Sequence, residues 1–413
     1  MTPFARVDRS SSPPRLELPH HYNAAVDFID RHLAEGRGAR VALRDEAGSL
    51  SYAGLAERVN RAGTAMRGLG VRAEDRVLML MLDGASFPAV FFAAVKIGAV
   101  AVPLNTLLTT ADYDVMLRHS RARLLVVSAP LYEKVAPVLA GQPFLEHVVV
   151  DGGSGHGKPL LATLMAKASP TLEAAATVAD DIAFWLYTSG STGQPKAAVH
   201  LQGDMVYASE LYALPILGIR EDDVMFSAAK LFFAYGLGNG MYFPFRVGAT
   251  ALLMAERPTP QSVIKRLVEE RPTLFFGVPT LYAALLADPH LPRKGEHALR
   301  ACVSAGEALP EDIARRWKAH VGVEILDGIG STEMTHIFIS NRPGALRYGS
   351  TGKAVPGYEL KLEGDDGQPV KPGEIGDLYV SGPTSAIMYW SNRARSLDSF
   401  RGRWTKTGDK YLV

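Results

Sequence analysis

Short apolar strands alternating with helical patterns constrain this chain before any other feature. Between His21 and about Ser169, Arg76-Val77-Leu78-Met79-Leu80-Met81 and Arg123-Leu124-Leu125-Val126-Val127 read as strands, while Tyr52 to Leu69 and Ala111 to Ser120 carry helical periodicity. Alternation of this kind predicts an α/β layered fold with mainly parallel sheets. The stretch from Phe87 to Leu104 comes nearest to a membrane span, but Pro88, Lys96 and Gly98 interrupt it. A buried helix ending near Gly98 and a strand through Val100-Ala101-Val102 account for it better.

Composition narrows the function classes. A chain of 413 residues has room for two or three domains, or for one large layered unit with several cores. With 47% hydrophobic and 21% charged residues and a formal charge of +1, it offers no electrostatic case for nucleic acid or an acidic membrane surface. The single cysteine, Cys302, excludes internal disulfides and a cysteine-rich zinc site. It suits a reducing cytoplasm and, within Ala301-Cys302-Val303, a buried inert thiol. Residues 1–19 hold no apolar signal segment and are expected to form a loosely ordered tail.

The chemistry-bearing stretch follows a buried strand, Ile182 to Tyr187. Thr188, Ser189, Gly190, Ser191, Thr192 and Gly193 lead through Gln194 and Pro195 to Lys196. Glycines let a backbone turn its N–H groups inward, hydroxyls add donors, and a lysine adds positive charge, which together suit a polyphosphate. The spacing is not the Walker pattern, since Pro195 precedes the lysine; a polar surface turn is the alternative. A second run, Gly152 to Lys158, does have Walker spacing, but Pro159 stands where the magnesium-holding hydroxyl belongs. It is expected to be a flexible surface loop, and a kinase built on it is the rival it would support.

Further on, Ala229 to Asn239 mixes aromatic residues with glycines, as either a flat apolar cavity or ordinary core packing requires. Arg300 to Leu309 reads as a strand feeding a Gly306-Glu307 turn, and Val323 to Glu333 as a strand running into Gly330-Ser331-Thr332-Glu333. Taken alone, either glutamate is a helix-start carboxylate, and His336 borders a ring or sits satisfied in the core. Beyond Gly344 the pattern changes to hairpins.

Together these strings resemble the adenylate-forming superfamily of acyl- and aryl-CoA ligases, luciferases and peptide-synthetase adenylation domains, over most of the chain. The hydroxyl-rich run resembles its phosphate loop, departing at Ala197-Ala198, where a glycine usually follows the lysine; Gly98 to Asn105 resembles an early structural motif. The resemblance implies a layered α/β/α/β/α large domain of two mainly parallel sheets flanked by helices, plus a small β-barrel-like subdomain, with segments at 20–175, 176–343 and 344–413. It also implies a smaller C-terminal lid domain with a catalytic lysine that is absent from these residues, so the chain is expected to be the large N-terminal part of a longer enzyme.

The resemblance assigns residues as well. Thr188, Ser189, Gly190, Ser191, Thr192, Gly193 and Lys196 would hold phosphates. Lys196, Thr332 and Glu333 would form the catalytic set, with Thr332 on the α-phosphate and Glu333 on magnesium. Gly306, Glu307, Asp327, Gly328 and Ile329 would border the adenine, and Asp409 the ribose; Ile329 replaces the stacking aromatic of many members. Phe233, Ala234, Tyr235, Gly236, Ala305, Gly306, Gly330, His336 and Ile337 would form the acyl pocket, and residues 229–239 look most like the corresponding segment of benzoate-CoA ligases.

The implied reaction has two steps. A carboxylate, here benzoate, attacks the α-phosphorus of ATP to give an acyl-adenylate and pyrophosphate, and the thiol of coenzyme A then displaces AMP. An aryl carboxylate is already ionised at pH 7, so the first step needs phosphate-charge screening and alignment, not a nucleophilic triad. The expected partners are benzoate, ATP, Mg2+ and coenzyme A, with no nucleic acid and no membrane; a homodimer is compatible with this. The rivals are another aryl- or short-chain acyl-CoA ligase and a non-catalytic nucleotide-binding module.

Overall fold

The computed structural model describes residues 3–189 and 195–412. Strands Arg76–Leu80, Val100–Pro103, Leu124–Ser128 and His147–Asp151 lie parallel in a seven-stranded sheet. The antiparallel pair Ile182–Ser189 and Pro195–Leu201 extends that sheet beyond Val100–Pro103. Leu78 and Leu125, paired in neighbouring strands, have no exposed surface, and neither does Val77, whose side chain points to the other face. Burial on both faces is why these strands are apolar throughout and do not alternate.

A nine-stranded sheet has a parallel centre of Val224–Ser227, Leu274–Gly277, Ala301–Ser304 and Ile325–Gly330. Helices pack on the sheets and start where the sequence supplies caps. Ser51 accepts the Gly54 N–H at the start of Tyr52–Gly68, and Thr109 forms a reciprocal cap with Asp112 at the start of Thr110–Ser120. The hairpin texture past Gly344 forms a four-stranded antiparallel sheet of Glu359–Glu363, Ile375–Ser381, Phe400–Arg401 and Trp404–Leu412. The expected layered α/β class with an added β unit is what the chain forms. Ser86–Lys96 is the expected buried helix, and no described helix is long and apolar enough to cross a membrane.

Three local features differ from expectation. Arg6–Asp8 and Arg15–Glu17 pair antiparallel instead of trailing as a loose tail. Arg9 anchors them, its Nη2 lying 2.8 Å from Oε1 of the buried Glu210, which also binds Arg246. Met205 to Leu217, whose sequence reads as one helix, forms an α-turn, Asp204–Ala208, followed by a wider π-helical turn, Ser209–Ala213. Finally, each large sheet draws on distant parts of the chain. Val41–Asp45 and Gly48–Ser51 complete the nine-stranded sheet beside Thr250–Leu252, while Ile182–Ser189 and Pro195–Leu201 contribute to the seven-stranded one.

Candidate functional site

The parallel strands of the nine-stranded sheet end together, and a cavity of about 270 Å3 opens just beyond their carboxyl ends. Ala229 follows Val224–Ser227, Val278 follows Leu274–Gly277, Ala305 and Gly306 follow Ala301–Ser304, and Gly330 ends Ile325–Gly330; all five line it. The crevice outside strand carboxyl ends is where open α/β sheets place ligands. Phe233, Ala234 and Tyr235 form one wall, His336 and Ile337 another. Gly236 is the one expected pocket member that does not line the cavity. A side chain there would run into the backbone carbonyls of Ala229 and Lys230, so this glycine is a close-packing position behind the wall.

The deep end is uncharged. Burial pushes the His336 imidazole down to about 3, leaving it neutral at pH 7. Its Nε2 lies 3.3 Å from the Tyr235 carbonyl, and the Phe243 ring meets it edge-on at 4.5 Å. Glycines bring these groups close. A Cβ on Gly238 would lie 2.5 Å from His336 Cδ2, and one on Gly330 would lie 2.5 Å from the His336 carbonyl oxygen.

The other end of the cavity stops at Ser331 and Thr332, where polar chemistry begins. The short turn Thr332–Met334 buries Glu333. Tyr389 donates its hydroxyl to Glu333 Oε1 at 2.6 Å, and Lys196 Nζ lies 3.9 Å from the same oxygen. The lysine also donates to the Tyr389 oxygen at 3.2 Å and sits over the Tyr389 ring at 4.5 Å. Burial and the neighbouring Glu333 carboxylate both push the Tyr389 hydroxyl up, which keeps it a donor. Tyr389 was not legible as a site residue, since its partner Glu333 is 56 positions away in sequence.

Thr188 stands opposite Lys196 in the antiparallel ladder, at the mouth of the expected phosphate loop. Gly190, Ser191, Thr192 and Gly193 lie outside the described residues, and Ser189 is described only as the last residue of its strand. Gly306 and Glu307 are exposed beside the cavity, and Gly328 and Ile329 lie in the strand that runs into the Thr332–Glu333 turn. Asp409 is half-buried in the strand Trp404–Leu412, and burial raises its carboxyl. Among the described residues, no group of three or more His, Cys, Asp and Glu side chains gathers to hold a metal.

Asp327 is buried, and its Oδ1 has no hydrogen-bond partner among the described residues. Burial pushes its carboxyl up to about 7, against the pull of the Leu309 and Gly328 backbone N–H groups. Between about pH 4 and pH 7 the folded chain therefore keeps a proton that the unfolded chain releases. The stability this contributes is complete at acidic pH and disappears as pH rises through about 7. Asp327→Asn should accordingly melt above the wild type at pH 8 and converge with it towards pH 4. A melting difference that does not change with pH would rule out Asp327 as its source.

The model of the AMP-binding enzyme family matches residues 30–390. The chain belongs to this family of AMP-binding enzymes. It is 56% identical over 98% of its length to a benzoate–CoA ligase from Thauera aromatica, of which it covers 77%. Among solved structures, a benzoate CoA ligase from Burkholderia xenovorans LB400 superposes with a TM-score of 0.90 at 50% identity, over 95% of this chain and 78% of that one. An anthranilate CoA ligase in complex with anthranoyl-AMP superposes with a TM-score of 0.93 at 41% identity, over 96% and 76%. The layered architecture is thus the adenylate-forming enzyme fold, and the AMP-binding match agrees with a polar site next to an apolar cavity.

Proposed function

We propose that this AMP-binding enzyme joins benzoate to coenzyme A, using ATP and passing through benzoyl-adenylate. The observation that carries the proposal is a small cavity with an aromatic wall and an uncharged deep end, whose lining reaches Thr332, next to Glu333 and Lys196. A flat apolar ring fits the first part, and a carboxylate directed at a phosphate fits the second. The identity to benzoate–CoA ligases supports the choice of acid.

In the first step a benzoate oxygen bonds to the α-phosphorus and the bond to pyrophosphate breaks. Lys196 places positive charge beside the developing phosphate charge, and Thr332 offers a hydroxyl to the α-phosphate. Asp327 would accept from the adenine amino group, and Asp409 would clamp the ribose hydroxyls. Glu333 would hold Mg2+, which usually takes one or two protein carboxylates together with substrate phosphates and supplies charge screening when bound. In the second step the coenzyme A sulfur bonds to the benzoyl carbon, its thiol proton is released, and the bond from that carbon to the AMP oxygen breaks. A cytoplasmic location suits the buried thiol of Cys302, which burial pushes up to about 12, and a homodimer is compatible with this reading.

Burying about six ring carbons contributes on the order of 2–3 kcal/mol, so benzoate alone should bind weakly to moderately. In a thermal-shift comparison benzoate should raise the melting temperature more than a medium-chain fatty acid does. A larger shift from the fatty acid would reject the aryl assignment and favour a short- or medium-chain acyl-CoA ligase.

A further inference from the structure

His200 is fully buried in the strand Pro195–Leu201, four residues after Lys196 and on the same face of it. Its Nε2 lies 2.8 Å from the Thr332 carbonyl oxygen. Its Nδ1 lies 2.8 Å from Asp204 Oδ2 and 3.0 Å from Thr335 Oγ1. The Thr335 hydroxyl spends its one proton on the Thr384 carbonyl at 3.0 Å, so towards His200 it can only accept. Both ring nitrogens therefore face acceptors. Nε2 donates to the Thr332 carbonyl, and Nδ1 is held against Asp204. The Phe184 ring, stacked at 5.0 Å and 17°, holds the imidazole plane.

A second observation concerns the turn that His200 reaches. Thr335 has φ +66°, in the left-handed region that a β-branched residue rarely adopts. Backbone strain of this kind persists only where the surroundings over-determine it. Here the surroundings are His200 and the Thr384 carbonyl on the Thr335 hydroxyl, and the Thr384 hydroxyl donating to the Met334 carbonyl at 2.7 Å.

We propose that His200, backed by Asp204, is a positioning residue for Mg-ATP: it pins the Thr332 carbonyl and thereby fixes the strained turn that presents Thr332 and Glu333. This role rests on the assignment of those two residues to ATP made above. Lys196 and His200 project from one strand face, so the phosphate-side lysine and the turn are held in one frame. The ring does not itself line the cavity; it meets the lining through the Thr332 carbonyl.

Two substitutions separate positioning from general packing. In His200→Gln the amide nitrogen reaches about where Nε2 sits, and in His200→Asn about where Nδ1 sits. The chain is titrated calorimetrically with Mg-ATP and, separately, with benzoate. His200→Asn should weaken Mg-ATP binding about tenfold, His200→Gln no more than about threefold, and benzoate affinity should stay at the wild-type level in both. Equal Mg-ATP losses in the two variants, or benzoate affinity falling in step with Mg-ATP, would reduce His200 to packing and overturn the proposal. If His200→Asn gives no cooperative melt, Thr335→Val tests the same latch. It should weaken Mg-ATP severalfold, and wild-type affinity there counts against the proposal. A wild-type chain that binds benzoate but not Mg-ATP would overturn the ATP-site assignment, and the positioning role with it. Wild-type binding of Mg-ATP left unchanged in His200→Asn overturns the positioning role alone.

Discussion

Glutamine in place of Glu333 should lower the affinity for Mg-ATP by roughly tenfold to a hundredfold while the fold survives. The side chain is buried beside Lys196 and accepts the Tyr389 hydroxyl at 2.6 Å. Glutamine keeps the size and can still accept that hydroxyl through its amide oxygen, so packing changes little. What disappears is the negative charge, and a charge-assisted contact is worth about 1.5–3 kcal/mol. The deficit should appear with magnesium present and shrink when ATP is titrated with the metal chelated. Mg-ATP affinity equal to wild type would remove Glu333 from the metal site.

Alanine at Gly236 should damage the acyl side just as selectively. The added methyl would overlap the carbonyl oxygens of Ala229 and Lys230, which are backbone atoms and cannot rotate away. Relief requires the 229–235 segment to move, and Ala229, Phe233, Ala234 and Tyr235 all line the cavity. Overpacking of this sort costs about 1–3 kcal/mol of stability. Benzoate binding should fall at least about tenfold, because an aromatic wall set back by a fraction of an ångström loses contact over the whole ring. Gly68→Ala is the control: Gly68 does not line the cavity, and its Cβ would meet open space. If Gly236→Ala held benzoate as tightly as Gly68→Ala, the wall would not depend on that close approach.

Much of this architecture could be read from local pattern. The apolar runs at Val77 and Leu124 read as strands, and the interruption at Lys96–Gly98 marked a helix end. At the pocket, the mix of glycines and aromatics between Ala229 and Asn239 left a cavity and core packing equally open, and the family resemblance chose the residues that line the cavity, such as Gly330 and Phe233. Gly236 shows the limit of that signal, since a glycine beside a pocket serves either the ligand or the backbone behind it. The residues that hold the polar end together were not legible. His200 and Thr332 are 132 positions apart, and Lys196 and Tyr389 are 193 apart. No spacing rule links such pairs; they meet because the strand Pro195–Leu201 runs beside the Thr332–Met334 turn and pairs with Met388–Tyr389. The N-terminal stretch was misread for a related reason, because its anchor, Glu210, lies 201 positions from Arg9.

The strand exchange between the two large sheets also sets a schedule for making the protein. Thr250 donates its hydroxyl to the Val41 carbonyl across 209 positions, and Leu43, paired with Leu50 on one side, finds its other neighbour at Ala251. At a synthesis rate of about 5–20 residues per second, Val41–Asp45 waits on the order of 10–40 s on the ribosome before Thr250–Leu252 exists. During that time Ala42 and Leu43, both fully buried in the finished protein, have no native partner strand beyond the Gly48–Ser51 hairpin. Nascent chains should therefore be most exposed to misassociation until roughly residue 250 has left the exit tunnel, and slowing translation before that point should lower the soluble yield more than slowing it afterwards.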